Sequence, residues 1–303
     1  GNALQADEGQ APARQASIYA GIPVSIPAMT VNKVCGSGMK AIMLAMQSIL
    51  LGDSDIVVAG GMESMSQAPY LLRGFRTGLK MGNQVLIDSM IHDGLWDPYS
   101  DSHMGTCGDL CASEKEISRK EQDEYAAESY RRAQVAQKEG KFDNEITPVT
   151  VKGTKGDVAI KIDEGPTRVK FEKISLLKPV FGKEGTVTAA NASTINDGAA
   201  AIVLTSIDKA KELGIKSLAK LISYGTHAQK PEWFTTAPAN AMLQAMKRVS
   251  WDVDDVDLFE VNEAFAVVAI ATMRDLQIPH DKINVFGGAI ALGHPIGASG
   301  ARI

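Results

Sequence analysis

Cysteine is scarce in this chain, with three in 303 residues. An odd count in so long a sequence builds no disulfide framework and points to a reducing, intracellular compartment, where any special cysteine is a thiol. An excess of basic charge is also missing, since 31 basic residues stand against 36 acidic ones and leave a net charge of −5. No general positive field is available to draw in nucleic acid or an anionic membrane, so a polyanionic ligand needs a local basic site. No unbroken apolar run reaches the roughly 18 residues of a bilayer crossing, and no membrane span is expected. Short-period repeats, heptads and low-complexity tracts are absent too, which argues against solenoid, fibrous and disordered readings. The opening Gly1-Asn2-Ala3-Leu4-Gln5 shows neither an initiator Met nor a charged-then-apolar leader.

What the chain does have is 45% hydrophobic residues, ample for a buried core and long enough for two or more subdomains. Ile26 to Val34 reads as an extended apolar segment ending on Cys35-Gly36-Ser37-Gly38. Met39, Ile42, Met43, Met46, Ile49 and Leu50 then recur at helical spacing until Gly52-Asp53 stops the helix. The stripe is broad, so this helix is expected to be buried. Asp55 to Gly61 is a short β-branched run closed by glycines, giving strand, helix, strand with parallel pairing and a right-handed crossover. From about Met65 to Ala190 the texture becomes loop-rich, with a charged helix near Arg119 to Gly140. Strand-like segments resume at Thr186 to Thr188, Ala199 to Leu204, Val256 to Glu260 and Ile283 to Phe286. The pattern is an α/β fold of two halves around an insertion.

Three places carry chemistry. Cys35 lies at a strand-to-helix junction, where the helix dipole and free backbone donors favour a thiolate. The competing reading is a buried structural cysteine. His294 sits in the glycine-dense Gly287-Gly288-Ala289-Ile290-Ala291-Leu292-Gly293-His294-Pro295 segment. A histidine fixed there can exchange protons near neutrality, or can merely pack, with Pro295 suited to the first turn of a helix. The glycine spacing matches no phosphate loop. Asn262, in Glu260-Val261-Asn262-Glu263-Ala264-Phe265, can hold a water or an oxyanion, or be an ordinary helix N-cap. Cys107 and Cys111, four residues apart, read as an ordinary helix face rather than half a metal site, and no metal is expected.

Taken together and in this order, Val31-Asn32-Lys33-Val34-Cys35-Gly36-Ser37-Gly38, Asn262-Glu263-Ala264-Phe265 and Gly293-His294-Pro295 resemble the thiolase family. The resemblance covers nearly the whole chain. Gly60-Gly61-Met62-Glu63-Ser64-Met65-Ser66, His103-Met104-Gly105 and the run from Thr186 to Ala200 look like biosynthetic acetoacetyl-CoA thiolases. It implies a layered αβαβα fold of two similar α/β halves with an inserted loop domain. The divisions expected are 1–64 for a first half, 65–195 for the inserted CoA-binding loop domain, 196–218 for the return to the first half, and 219–303 for the second half.

The same resemblance implies that Cys35 carries an acetyl group, that His294 takes the thiol proton, and that His294 with Asn262 stabilises an enolate. His103, Met104, Arg168, Phe181, Ala189, Ser193 and Phe265 are the implied contacts to coenzyme A. Phe234 marks the acyl pocket, and Thr235 after it departs from the Phe-Pro of relatives that accept branched acyl groups. No tyrosine stands near Gly165-Pro166-Thr167 for a potassium site. The implied partners are acetyl-CoA, acetoacetyl-CoA and CoA, with no permanently bound cofactor. A homotetramer of paired dimers in the mitochondrial matrix or cytoplasm is expected. The family's second catalytic cysteine and its first strand and helix have no match, so the text reads as a fragment lacking both ends, with impaired turnover. Three alternatives remain at this point: a degradative 3-ketoacyl-CoA thiolase, a papain-like Cys-His-Asn protease, and a non-catalytic CoA-binding or assembly module.

Overall fold

The structure, a computed structural model, describes residues 1–154 and 156–303. Helix α1 (Pro12–Tyr19) is followed by α2 (Ser37–Leu51) and by strand β1 (Ile56–Ser64). Short hairpins pair β2 (Tyr70–Leu72) with β3 (Leu86–Asp88) and β4 (Trp96–Asp97) with β5 (Ser102–His103). Helices α3 (Met104–Glu114) and α4 (Arg119–Lys138) lead to the hairpin of β6 (Val149–Val151) and β7 (Val158–Ile160). The single turn α5 (Gly165–Arg168) precedes strand β8 (Asp197–Thr205) and helices α6 (Ile207–Glu212) and α7 (Ala237–Lys247). Helix α8 (Ala266–Leu276), the single turn α9 (Ala289–Leu292) and α10 (Ile296–Arg302) complete the order.

Strands β1 and β8 pair antiparallel from Ile56 opposite Thr205 to Ser64 opposite Asp197. The parallel neighbour of β1 is not the segment Ile26 to Val34, which forms no strand. Pro23 and Pro27 withhold ladder donors, and Ile26 N turns back to Pro23 O at 2.9 Å. The place beside β1 is taken by the first residues. Gly1 N donates to Gly60 O at 2.8 Å and Met62 N donates to Gly1 O at 2.8 Å, the slanted pattern of parallel pairing. Asn2 N reaches Val31 O at 3.0 Å on the other side.

Helix α2 lies on β1 and α10, and it is less covered than its apolar stripe suggests. Ser37, Gly38, Met43 and Ala45 are buried, whereas Leu50 and Leu51 are 72% and 77% exposed. The stripe is wider than the one face that β1 and α10 occupy. By length and composition alone, Val34–Leu51 could cross a membrane, with a mean hydropathy of 1.5, although one of its faces packs on β1 and α10.

The main core gathers α3, α4, α8 and α9. Ala266 to Ala271 of α8 pack on Cys111, Tyr125, Ala126, Tyr130 and Ala133. Three further expected strands are absent. Thr186 to Thr188 is a loop whose N–H groups go to side chains, Thr186 N and Val187 N to Asp109 Oδ1 and Thr188 N to Asn191 Oδ1. Val256 to Glu260 and Ile283 to Phe286 meet only at a single parallel bridge, Phe259 with Ile283. Asn284 explains why the bridge goes no further: its side chain takes over both Val261 N and Val261 O at 2.8 Å.

Within this core Glu263 is fully buried and accepts from Tyr125 Oη at 2.8 Å, Ser129 Oγ at 2.7 Å, Asn284 Nδ2 at 2.8 Å and Ile290 N at 3.1 Å. Gly288 is required beside it, because a Cβ there would lie 2.3 Å from the carboxyl carbon. Glu263→Ala would leave Tyr125 Oη, Ser129 Oγ and Ile290 N without this acceptor, while Asn284 Nδ2 keeps Val261 O, and each buried donor so stranded costs about 1–3 kcal/mol. The variant is expected to lose at least ~3 kcal/mol in urea unfolding, and a midpoint within error of the parent would contradict this account of the core.

Candidate active site

Cys35 is presented by a strained turn. Val34 takes φ +48°, a left-handed conformation costly for a β-branched residue. Two side chains hold it there. Asn32 Oδ1 accepts from Val34 N at 2.9 Å. Ser37 Oγ, wholly buried, accepts from Lys33 N at 2.8 Å and donates to Val34 O at 2.6 Å. Cys35 then stands one residue ahead of Gly36, the N-cap of α2.

The resting sulfur is a thiol, which corrects the expectation of a thiolate. Desolvation pushes Cys35 up to about 12; a backbone hydrogen bond offsets only part of that, and the charge of Glu63 adds to it. One helix end does not outweigh removal from water.

His294 lies across the chain from Cys35 and meets it at 3.2 Å, Nε2 to Sγ. Asn262 Nδ2 is 3.3 Å from the same nitrogen, and Ser299 Oγ is 2.6 Å from Nδ1. The imidazole is 4% exposed. Desolvation, then the charge of Arg302, pulls its pKa down to about 4, so it is a neutral base at pH 7. Its backbone is fixed as well: His294 N donates to Asn196 Oδ1 at 3.2 Å, and Arg302 Nη1 donates to Gly293 O at 3.1 Å. Pro295 is the N-cap of α10 rather than its first turn.

Asn262 is not a helix cap, because the N-cap of α8 is Phe265 and has no side-chain cap bond. Among the described residues its buried Oδ1 has no partner, which leaves an acceptor free for a water or a substrate group. The papain-like reading fails on geometry. In a Cys-His-Asn triad the amide orients the imidazole from the nitrogen away from the thiol, whereas here Asn262 and Cys35 share Nε2 and Ser299 takes Nδ1.

Beside this cluster runs an aromatic row. His103 stacks on Phe181 with centroids 4.5 Å apart, Phe181 meets Phe265 edge-on at 6.1 Å, and Phe234 tilts against Phe265 at 6.5 Å. Ser193 joins it, donating from Oγ to Ala264 O at 3.0 Å. Met104 follows His103 at the start of α3, and Ala189 is exposed on the turn before Ala190. Arg168 is engaged elsewhere, exposed and paired with Glu164 at 2.6 Å. Cys107 and Cys111 are buried on α3, Cys111 within the main core.

Comparison with known proteins agrees with this geometry. The family descriptions "Thiolase, N-terminal domain" and "Thiolase, C-terminal domain" match residues 1–208 and 215–303. The chain belongs to the thiolase family. A Staphylococcus epidermidis protein called "Probable acetyl-CoA acyltransferase" is 55% identical over 304 residues, spanning 100% of this chain and 77% of that protein. A Staphylococcus aureus protein of the same name is 52% identical over 305 residues, spanning 100% of this chain and 78% of that one. The Acat5 thiolase from Ascaris suum, solved in complex with coenzyme A, is 45% identical with a TM-score of 0.95, covering 100% of this chain and 78% of that one. The thiolase-like α/β fold expected from the sequence is therefore the fold observed, and the chain is an acyltransferase.

Sequence reasoning did not single out four residues on which this thiolase site rests: Ser37, Asn196, Glu63 and Ser299. Glu63 is 3% exposed and accepts from Asn2 Nδ2, Ala3 N, Leu4 N and Gly297 N at 2.8–3.1 Å. Each stands inside a segment that carried the resemblance or its glycine-rich continuation, so the signal was their place rather than their type.

The depressed His294 pKa has a consequence for stability. The unfolded chain takes up the histidine proton near 6.5 and the folded one only near 4, so stability is lost as pH falls between those values. The full difference corresponds to roughly 3 kcal/mol. His294→Asn is expected to flatten the pH 7 to pH 4 stability profile by about that amount, read as the difference in urea-derived stabilities. An unchanged profile would contradict the assigned charge state.

Proposed function

We propose that the protein is an acetyl-CoA C-acetyltransferase that joins two acetyl-CoA molecules into acetoacetyl-CoA and CoA, reversibly, through an acetyl thioester on Cys35. The observation that carries the reading is the 3.2 Å contact between a thiol and a neutral imidazole nitrogen that also faces Asn262. In the first half-reaction the Cys35 proton passes to His294 Nε2 while the sulfur attacks the thioester carbonyl. The bond to the CoA sulfur breaks, and the imidazolium returns the proton to the departing CoA thiolate.

In the second half-reaction His294 and a water held by Asn262 stabilise the enolate oxygen of the incoming acetyl-CoA. Its carbon attacks the acetyl group on Cys35, and the Cys35 sulfur leaves as a thiolate that regains a proton, the one taken off the incoming acetyl-CoA. The α-proton goes to the family's second cysteine, a role for which buried Cys107 and Cys111 are not placed. The row of His103, Phe181, Phe265 and Phe234 is the proposed wall for the pantetheine arm and the acyl end, with Ser193 as a polar anchor and Met104 and Ala189 beside it. Arg168 would need to leave Glu164 to reach a phosphate.

Thr235 after Phe234 favours the small unbranched substrate over branched ones. The homotetramer and the reducing compartment belong to the same proposal, supported by exposed apolar Leu50, Leu51 and Val203 and by a nucleophile that must stay a thiol.

Acetyl-CoA treatment followed by mass spectrometry is expected to place an acetyl adduct on Cys35, absent in Cys35→Ala. Asn262→Ala is expected to lower the rate of acetoacetyl-CoA thiolysis about 10²–10³-fold, the usual effect of losing one oxyanion-stabilising group. Absence of the adduct would sink the proposal. Comparable rates on long-chain 3-ketoacyl-CoA would favour the degradative thiolase instead.

A further inference from the structure

We propose that Ser299 is a positioning residue that holds His294 in the tautomer able to accept the Cys35 proton. The inference rests on the reading of Cys35 and His294 as nucleophile and base, and it extends that reading by assigning every proton in the cluster.

Ser299 lies on the first turns of α10, five residues after His294, and is 3% exposed. Its Oγ has two close neighbours, Pro295 O at 3.0 Å and His294 Nδ1 at 2.6 Å. A carbonyl oxygen can only accept, and the hydroxyl has one proton to give. If that proton goes to Pro295 O, the short contact to Nδ1 is an N–H donated to the serine oxygen. Nε2 is then the lone-pair nitrogen.

The other side of the ring requires the same assignment. The Cys35 thiol and the Asn262 amide, both donors, converge on Nε2 at 3.2 and 3.3 Å. Among the described residues the thiol has no other side-chain partner. The opposite tautomer would aim an N–H at an NH2 group and strand the thiol proton, whereas the assigned one satisfies each donor in turn. Which ring nitrogen carries the proton is set by the bond the other nitrogen makes, and here that bond is to Ser299.

The position is also specific in fold terms. Pro295 caps α10, so Ser299 can bond back to its carbonyl four residues earlier, the usual route for a helical serine. That back-bond points the acceptor lone pairs at the ring. An alanine would leave the buried Nδ1–H without an acceptor and the ring free to exchange tautomers.

Histidine-labelled protein tests this by NMR, because the side-chain nitrogen and carbon shifts distinguish the two tautomers. The chain has five histidines, and His294 is assigned by the signal lost in His294→Asn. The expected result is a proton on Nδ1 in the parent protein and a tautomer mixture in Ser299→Ala. Alkylation of Cys35 by iodoacetamide is expected to slow by up to about tenfold in Ser299→Ala, less than the roughly 10²–10⁴-fold of losing a general base because His294 itself remains, and to recover in Ser299→Thr. A proton on Nε2 in the parent, or an alanine variant with the parent's tautomer and alkylation rate, overturns the proposal. If the alanine variant fails to fold, the parent tautomer decides alone. Acetylation of Cys35 together with a proton on Nε2 would remove this proposal and leave the reaction standing. No acetylation with a proton on Nδ1 would do the reverse.

Discussion

The segment carrying His294 is suspended between two buried carboxylates. Glu263 accepts from Ile290 N, four residues before the histidine, and Glu63 accepts from Gly297 N, three residues after it. Each acid also ties its own surroundings to that segment. Glu63 gathers Asn2, Ala3 and Leu4 beside β1, while Glu263 gathers Tyr125 and Ser129 of α4 and Asn284. A buried carboxylate is tolerable only when its lone pairs are filled, so the donors have little freedom to move. The glycines follow from the same constraint, since a Cβ at Gly297 would lie 2.6 Å from Glu63 Oε2. Catalytic precision in this thiolase thus begins with two buried acids whose oxygens are filled by the protein's own donors.

The electrostatics of the site depend on the same burial. Desolvation of partly exposed Cys35 and of buried His294 raises one pKa to about 12 and lowers the other to about 4, so both are uncharged at rest. A neutral pair costs less to bury than a thiolate and an imidazolium. The charge separates only when the sulfur attacks, where it contributes to the barrier step rather than to the ground state. Strain at Val34, braced by Asn32 and Ser37, and the Ser299 contact on the far side of the ring both keep the two partners facing one another.

Much of this was legible in the primary structure, and the misses have physical causes. Helix α2 announced itself by periodicity and by Gly52 at its end, and α4 by the charged run that begins at Arg119, because helical hydrogen bonds are local. The segment Ile26 to Val34 and the runs at Thr186, Val256 and Ile283 looked equally strand-like, yet pairing needs a partner that sequence does not display. Pro23 and Pro27, Asp109 and Asn284 redirected those backbone groups into turns and side-chain contacts. The expected burial of α2 failed for a related reason, since a stripe states what can be covered and not what covers it.

Sequence alone determined the reactive residue types, Cys35, Asn262 and His294, together with their glycine-dense settings and the family they resemble. Those settings are short-range facts about which backbone conformations and which side chains a position allows. Tertiary structure decided the rest: the thiol rather than thiolate state, Asn262 as a site amide rather than a cap, Arg168 held by Glu164, and Ser299 behind the imidazole. Each of these depends on desolvation or on a contact between residues set by packing, and Cys35 and His294 stand 259 positions apart along the chain.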